Sequence, residues 1–146
     1  MPSFQTILVP VDFSEHASRA LDYAIELAKQ FKSRLHLIHS YPIHPIMVSP
    51  YGVALPPDLD RTFREAADKQ LGEWAARARN AGIAVETTTT SDTPAEAIVR
   101  CAEKIHADLI VMSTRGLTGL KHVVLGSVAE RTLRLAPCPV LTLKAS

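Results

Sequence analysis

Residues 113–127 combine residue types that could hold a phosphate group. Gly116 lets the backbone approach a ligand closely, because glycine has no side chain. Gly126 and Ser127 begin a helical pattern, so they would present backbone N–H groups and a hydroxyl to an anion. The segment has neither Gly-Lys-Ser/Thr nor Gly-x-Gly-x-x-Gly, which argues against a P-loop and a dinucleotide-binding loop. An anion site of another kind is therefore predicted.

Asp12 is the second candidate group, because it directly follows an apolar run at residues 7–11 that is typical of a buried strand. Its carboxylate could contact a ligand at the end of that strand. It could equally cap the helix that follows, and Ser14 competes for the capping position. The sequence leaves both interpretations open.

The elements around these residues alternate regularly between strand and helix. Strands are predicted at 7–11, 34–40, 83–90, 107–112 and 139–144, and helices at 15–32, 59–81, 94–105 and 127–135. Such alternation predicts a single α/β domain with an open, parallel five-stranded, Rossmann-like sheet and helices on both faces. The first and fourth strands are the most apolar and should be central neighbours, which gives the order 3-2-1-4-5. Ligands bind where such an order reverses, so Asp12 and residues 113–127 should meet there.

Length and composition restrict the function classes. The 146 residues suit one domain, and 47% hydrophobic with 21% charged residues excludes a disordered chain. A net charge of +1 argues against nucleic acid as a partner. No apolar run reaches the roughly 20 residues of a membrane span, and the first residues do not read as a signal peptide. A cytoplasmic protein without a membrane or nucleic-acid partner is expected.

The chain resembles the universal stress protein family over nearly its whole length. Residues 7–14 (ILVPVDFS) resemble that family's first strand and turn, and residues 126–131 and 136–141 resemble its last helix and strand. Nucleotide-binding members carry Gly-x2-Gly-x9-Gly-Ser/Thr. Gly116 matches the second glycine, and Gly126 and Ser127 match the end of the motif. Ser113 stands where the first glycine would be.

The resemblance implies a regulatory module of the stress response that binds ATP, ADP or AMP, and it allows a Mg²⁺ ion beside the nucleotide. Its adenosine pocket and phosphate site would be formed by Pro10, Val11, Asp12, Ser40, Met112, Ser113, Gly116, Gly126, Ser127 and Val128. The first three and Ser40 would surround the adenosine, and Met112 and Ser113 would flank the base and ribose. The last four would hold the phosphates.

Other functions remain open. Because Ser113 replaces a motif glycine, an alternative function remains open: a dimeric interaction protein of the same fold with a degenerate nucleotide site. An enzyme is disfavoured because no nucleophile–base pair is evident, so at most slow ATP hydrolysis is expected. Arg115, Lys121 and His122 are expected on a solvated loop face. No metal site is predicted from the histidines, since His36 and His39 would point to opposite faces of a strand.

The last strand is predicted to build a homodimer. Residues 140–144 form an apolar sheet edge, and an uncovered apolar edge is a liability. The family resemblance implies antiparallel pairing of this strand with its twin. A further protein partner is expected but not identified.

Overall fold

The computed structural model describes residues 3–41, 57–115 and 125–144. The strands are β1 (Thr6–Pro10), β2 (Arg34–Ser40), β3 (Val85–Thr90), β4 (Leu109–Ser113) and β5 (Val140–Leu143). The helices are α1 (Glu15–Phe31), α2 (Pro57–Asn80), α3 (Pro94–Ile105) and α4 (Ser127–Leu135). The predicted alternation of strands and helices is confirmed.

The five strands form one parallel sheet in the order β3-β2-β1-β4-β5, as predicted. At its centre, Leu8 of β1 is in register with His36 of β2 and with Ile110 of β4. The order reverses between β1 and β4. The carboxyl ends of these strands therefore border the crevice in which open α/β sheets bind ligands.

Each face of the sheet has its own apolar core, because side chains alternate along every strand. Ile7 and Val9 of β1 pack with Leu21 of α1 and Leu71 of α2 on one face. Leu8 faces the other way, towards α3 and α4. The strands β1 and β4 are buried on both faces, which explains their unbroken apolar sequences.

Strands β3 and β4 begin two residues later than predicted, because the preceding residues complete helix ends. The Ile83 N–H donates to the Ala78 carbonyl at 3.0 Å and closes the end of α2. Likewise the Ala107 N–H donates to the Ala102 carbonyl at 2.9 Å, with His106 in a left-handed conformation. These caps use apolar residues that resemble strand residues in the sequence.

Other helix predictions hold with small shifts. Helix α1 ends at Phe31 rather than residue 32, because Lys32 is its left-handed cap. Helix α2 begins at Pro57, two residues before its predicted start. The helical periodicity of residues 59–81 predicts Ala66 on the buried face, but it is exposed. Five prolines among residues 41–57 predict an irregular loop, most of which, residues 42–56, lies outside the described residues.

His36 is a buried ionisable group on the α3 side of the sheet. Its Nε2 lies 2.7 Å from the Thr88 Oγ1, and its Nδ1 lies 3.9 Å from an exposed Glu86 carboxylate. Burial lowers the pKa of His36 below its ordinary value of 6.5. The negative charge of Glu86 opposes this shift, and the positive charges of Arg34 and Lys104 add to it. The second histidine, His39, points to the other face, as predicted from their spacing.

We expect acid to destabilise the fold through His36. The unfolded chain takes up the proton near pH 6.5 and the folded chain only at lower pH, so the unfolded state binds more protons in between. Stability is therefore complete above that value and falls as the pH drops through the folded pKa. Urea unfolding at about pH 8 and about pH 5.5 should show a smaller loss for His36→Gln than for wild type. Equal losses in both proteins would contradict this assignment.

Two further searches concern only the described ranges. None of their helices has the length and apolar character that crossing a membrane requires. They also contain no group of three or more His, Cys, Asp or Glu side chains placed to hold a metal ion. His44 lies outside them.

Candidate functional site

A cavity of about 300 Å³ opens at the carboxyl end of the sheet. Its wall is drawn from β1, β2, β4, α1, α3, α4 and the turns beside them. The lining residues are Pro10, Val11, Asp12, Ala17, Ile38, Ser40, Pro94, Ala97, Ile98, Met112, Ser113, Thr114, Arg115, Gly126, Ser127, Val128 and Ala129. Its size is at the lower end of the usual range for small-molecule sites, roughly 300–1,000 Å³.

Nine of the ten residues proposed from the sequence line this cavity. They are Pro10, Val11, Asp12, Ser40, Met112, Ser113, Gly126, Ser127 and Val128. The tenth, Gly116, lies outside the described residues. Parallel topology explains the convergence, because it brings the carboxyl ends of β1, β2 and β4 to one edge of the sheet.

The turn after β1 settles the capping question raised by the sequence. Ser14 is the N-cap of α1, and its side chain accepts a hydrogen bond from the Ala17 N–H at 3.1 Å. The Asp12 Oδ1 accepts from the Ser14 N–H at 3.0 Å and from the Ser14 hydroxyl. Asp12 therefore fixes the capping residue and is itself a lining residue of the cavity.

Gly126 is required by close packing of two backbones. Its φ of −67° suits any residue, but a Cβ there would lie 3.0 Å from the Thr114 carbonyl oxygen. The Gly126 N–H donates to that same oxygen at 2.6 Å. The expectation that this N–H faces an anion is therefore wrong. Helix geometry instead assigns that capacity to the N–H groups of Ser127 and the next two residues, which have no intrahelical acceptor.

Ser113 occupies its position without strain. It is the last residue of β4, and the residues with positive φ among those described do not include it. Its hydroxyl accepts a hydrogen bond from the Arg115 N–H at 3.3 Å. The backbone at this motif position therefore does not need a conformation that only glycine adopts easily.

Restoring glycine at Ser113 should leave ligand affinity within about twofold of wild type, or tighten it slightly. Stability should fall by about 0.5–1 kcal/mol, because glycine in a strand loses more conformational freedom on folding. Calorimetric titration of Ser113→Gly with AMP, a ligand that the family resemblance implies, together with urea unfolding, checks both values. A large gain in affinity would mean that the serine obstructs the site.

The part of the cavity wall that α3 contributes was not predicted from the sequence. Ala97 and Ile98 are buried residues of α3 that face the sheet, and they border the cavity with Ile38 of β2 and Met112 of β4. The helical periodicity of residues 94–105 predicts Ala97 and Ile98 to be core residues, which is correct but incomplete. The sequence signal that could have indicated this wall is side-chain size. Ala17 of α1 and Ala97 of α3 are small residues on helices that face the ends of the central strands, so they leave space between helix and sheet.

Polar side chains tie this wall together at its rim. Arg131 of α4 pairs with Glu96 of α3 at 2.6 Å. Asp92, just before α3, pairs with Arg100 at 2.8 Å, and its carbonyl accepts a hydrogen bond from the Ser40 hydroxyl. Ser40 thereby joins the end of β2 to the start of α3.

The position of Arg115 differs from the one predicted from the sequence. It was predicted on a solvated loop face, yet it is half-buried and lines the cavity. Lys121 and His122, from the same prediction, lie outside the described residues.

Comparison with known proteins gives consistent results. A family model described as the universal stress protein family matches residues 3–144. Universal stress protein MJ0531 of Methanocaldococcus jannaschii is 37% identical over 146 residues, covering 97% of this chain and 82% of that protein.

Solved structures resemble the fold closely. The structure of hypothetical protein MJ0577 has a TM-score of 0.85 at 29% identity and covers 98% of this chain and 97% of that one. A universal stress protein in complex with cAMP has a TM-score of 0.71 at 27% identity and covers 99% of both chains.

Proposed function

The chain belongs to the universal stress protein family, and we propose that it is a regulatory module that binds an adenine nucleotide in the cavity at the carboxyl end of its sheet. The observation that carries the proposal is the convergence on one cavity of nine of the ten site residues predicted from the sequence. The related universal stress protein in complex with cAMP supports the same ligand class. We further propose ATP, ADP or AMP as the ligand and the cytoplasm, where these nucleotides are made and used, as the location.

The inner part of the cavity fits a purine base. Ile38, Ala97, Ile98 and Met112 provide apolar surface on the α3 side. A flat, mostly apolar ring would lose its contact with water against such surface, as ligands do in most small-molecule sites. Polar groups at the rim, such as Ser40, would orient the nucleoside.

The outer part fits phosphate groups. The backbone at Gly126 packs against the backbone at Thr114, so the start of α4 lies close to the end of β4. Ser127, Val128 and Ala129 line the cavity at this helix N-terminus, where unpaired N–H groups and the helix dipole favour an anion. Arg115 adds a cationic side chain to the same wall.

A binding role is favoured over rapid catalysis. Among the described lining residues, Asp12 provides the carboxylate, and its Oδ1 is already hydrogen-bonded to Ser14. This leaves little to activate an attacking water. Mg²⁺, which prefers oxygen ligands, would be held mainly by the nucleotide phosphates, with Asp12 as the neighbouring carboxylate. Hydrolysis of ATP is expected to be slow or absent.

The direct test identifies the ligand that the protein retains. Mass spectrometry of the denatured, freshly purified protein should detect an adenine nucleotide, and calorimetry with ATP, AMP and GTP should show a preference for adenine. Wild-type affinity weaker than millimolar for both ATP and AMP would favour the alternative of a dimeric interaction protein with a degenerate site.

We also propose that the protein forms a homodimer through β5. This strand is one edge of the sheet, and its sequence Val-Leu-Thr-Leu is mostly apolar. The opposite edge, β3, exposes Glu86 and Thr87, and polar or charged side chains protect an edge from pairing. β5 is therefore the better edge for a second copy.

The hydrogen-bond pattern identifies the variant that tests this dimer. The Pro139 carbonyl accepts from the Ile110 N–H of β4, and the Leu143 carbonyl accepts from the Thr114 N–H just after β4, at 3.0 Å in each case. Alternate residues of β5 therefore face β4, and Thr142 faces the open edge. Thr142→Pro should weaken the dimer at least about tenfold, since symmetry removes two ladder bonds. Leu141→Pro would instead damage pairing with β4.

Light scattering of wild type, Thr142→Pro and the control Thr142→Val measures the effect. Circular dichroism should show the same fold in all three. A wild type that is monomeric at high micromolar concentration, or a proline variant that assembles normally, would contradict the proposal.

A further inference from the structure

Phe13 has an unusual backbone conformation beside the candidate site. Its φ is +62°, in the left-handed region that favours glycine. A bulky side chain there is strained, and such residues occur mainly where the surrounding structure enforces them, often at ligand sites. Phe13 lies between Asp12, which lines the cavity, and Ser14, which caps α1.

Two aromatic side chains hold the Phe13 ring. Its centroid lies 4.2 Å from that of His39 on β2, at an interplanar angle of 36°. It lies 5.5 Å from that of Trp74 on α2, in an edge-to-face arrangement at 69°. The two aromatic contacts together are comparable in size with the backbone strain and offset it. We call Phe13, His39 and Trp74 the aromatic stack.

The aromatic stack is also tied directly to the cavity wall. His39 Nδ1 lies 2.7 Å from the Val11 carbonyl oxygen. A carbonyl only accepts, so this nitrogen must donate. The Val11 N–H in turn donates to the Ile38 carbonyl at 2.8 Å. Val11, a lining residue, is thus fixed through both of its backbone polar groups.

On its other side the aromatic stack is anchored to two helices. The Arg77 guanidinium of α2 lies 5.2 Å from the Trp74 ring centroid. The same Arg77 donates to the Ser18 hydroxyl of α1 at 3.0 Å. Trp74 is therefore held against the turn that contains Phe13.

We propose that Phe13 is a positioning residue of the nucleotide site. This role rests on the proposed function. Clamped by His39 and Trp74, Phe13 holds residues 11–14 in the conformation that presents Val11 and Asp12 to the nucleotide. The site is thereby formed before the ligand arrives, and binding need not order this turn.

The test replaces Phe13 by glycine and by alanine and titrates each variant with AMP. Both should bind about five- to tenfold more weakly than wild type, because the turn must now be ordered on binding. Glycine adopts φ +62° without strain, so it would bind as well as wild type if only the backbone angle mattered, and that result would overturn the role. Phe13→Tyr keeps the ring and should restore affinity.

Phe4 provides a matched control. It forms an edge-to-face pair with Phe31 at 5.2 Å and precedes the amino end of β1, whereas the cavity lies at the carboxyl end of the sheet. Phe4→Ala should lose stability but keep its affinity for AMP. If Phe13→Ala loses no more affinity than Phe4→Ala, the aromatic stack is merely structural. Trp74→Leu, which leaves Phe13 in place, gives a second measurement and should weaken binding about threefold.

The two proposals fail differently. A wild type that binds neither AMP nor ATP overturns the proposed function and this role with it. A wild type that binds AMP while the Phe13 and Trp74 variants bind equally well overturns the positioning role alone.

Discussion

Replacing Gly126 by valine is expected to lower affinity for AMP and ATP at least tenfold and to destabilise the fold by about 1–3 kcal/mol. The new Cβ would lie 3.0 Å from the Thr114 carbonyl oxygen, a backbone atom that cannot swing aside. Either the end of β4 or the start of α4 must move. Both line the cavity, so the N–H groups at the start of α4 would no longer be aimed at the phosphates.

Gly72 is the matched control for this glycine substitution. It lies within α2, and a Cβ there would meet nothing within 4 Å. Gly72→Ala should therefore stabilise the protein by about 0.5–1 kcal/mol and leave binding unchanged. Calorimetry and urea unfolding of both variants measure the contrast. If Gly126→Val binds AMP as tightly as wild type, the phosphates do not lie at the start of α4.

The topology was predictable because its determinants are local. Unbroken apolar runs mark β1 and β4 as doubly buried, and helices long enough for crossovers separate the strands. Strand ends were less predictable. Ile83 and Ala107 resemble strand residues, yet their N–H groups complete helix caps, a choice that depends on left-handed residues nearby.

The candidate site was predictable only where its residues follow strand ends or belong to a motif. Asp12 lies two residues after β1 and Ser113 is the last residue of β4, so topology alone brings these two residues together. Ala97 and Ile98 come from the inner face of α3, where sequence periodicity cannot distinguish a core contact from a cavity wall. The strain at Phe13 is likewise invisible, since nothing in Asp-Phe-Ser shows that an aromatic residue adopts a positive φ.

Gly126 shows that a motif glycine can be required for a reason other than the one its motif suggests. The motif suggested that Gly126 offers its own N–H to a phosphate, but that N–H donates to the Thr114 carbonyl. The requirement for glycine is the space between two backbones. Its φ would suit any residue, so the requirement comes from tertiary contact rather than from local conformation.

Filling the inner part of the cavity with a larger side chain should weaken nucleotide binding while changing the stability of the fold little. Ala97→Phe places a ring in the space assigned to the base, which forfeits apolar burial worth roughly 1.5–3 kcal/mol. Affinity for AMP should therefore fall about tenfold to a hundredfold. Stability should change by less than about 1 kcal/mol, because the ring enters open volume rather than packed core.

Ala102 provides the contrast on the same helix. It is 1% exposed and is not among the lining residues, so Ala102→Phe should overpack the core and cost about 1–3 kcal/mol. Ala97→Ser, which adds one small atom, should bind AMP nearly as wild type does. Calorimetry with AMP and urea unfolding of the three variants distinguish the cases. If Ala97→Phe retains wild-type affinity, the base does not occupy the α3 wall, and the nucleotide must be sought elsewhere on the sheet edge.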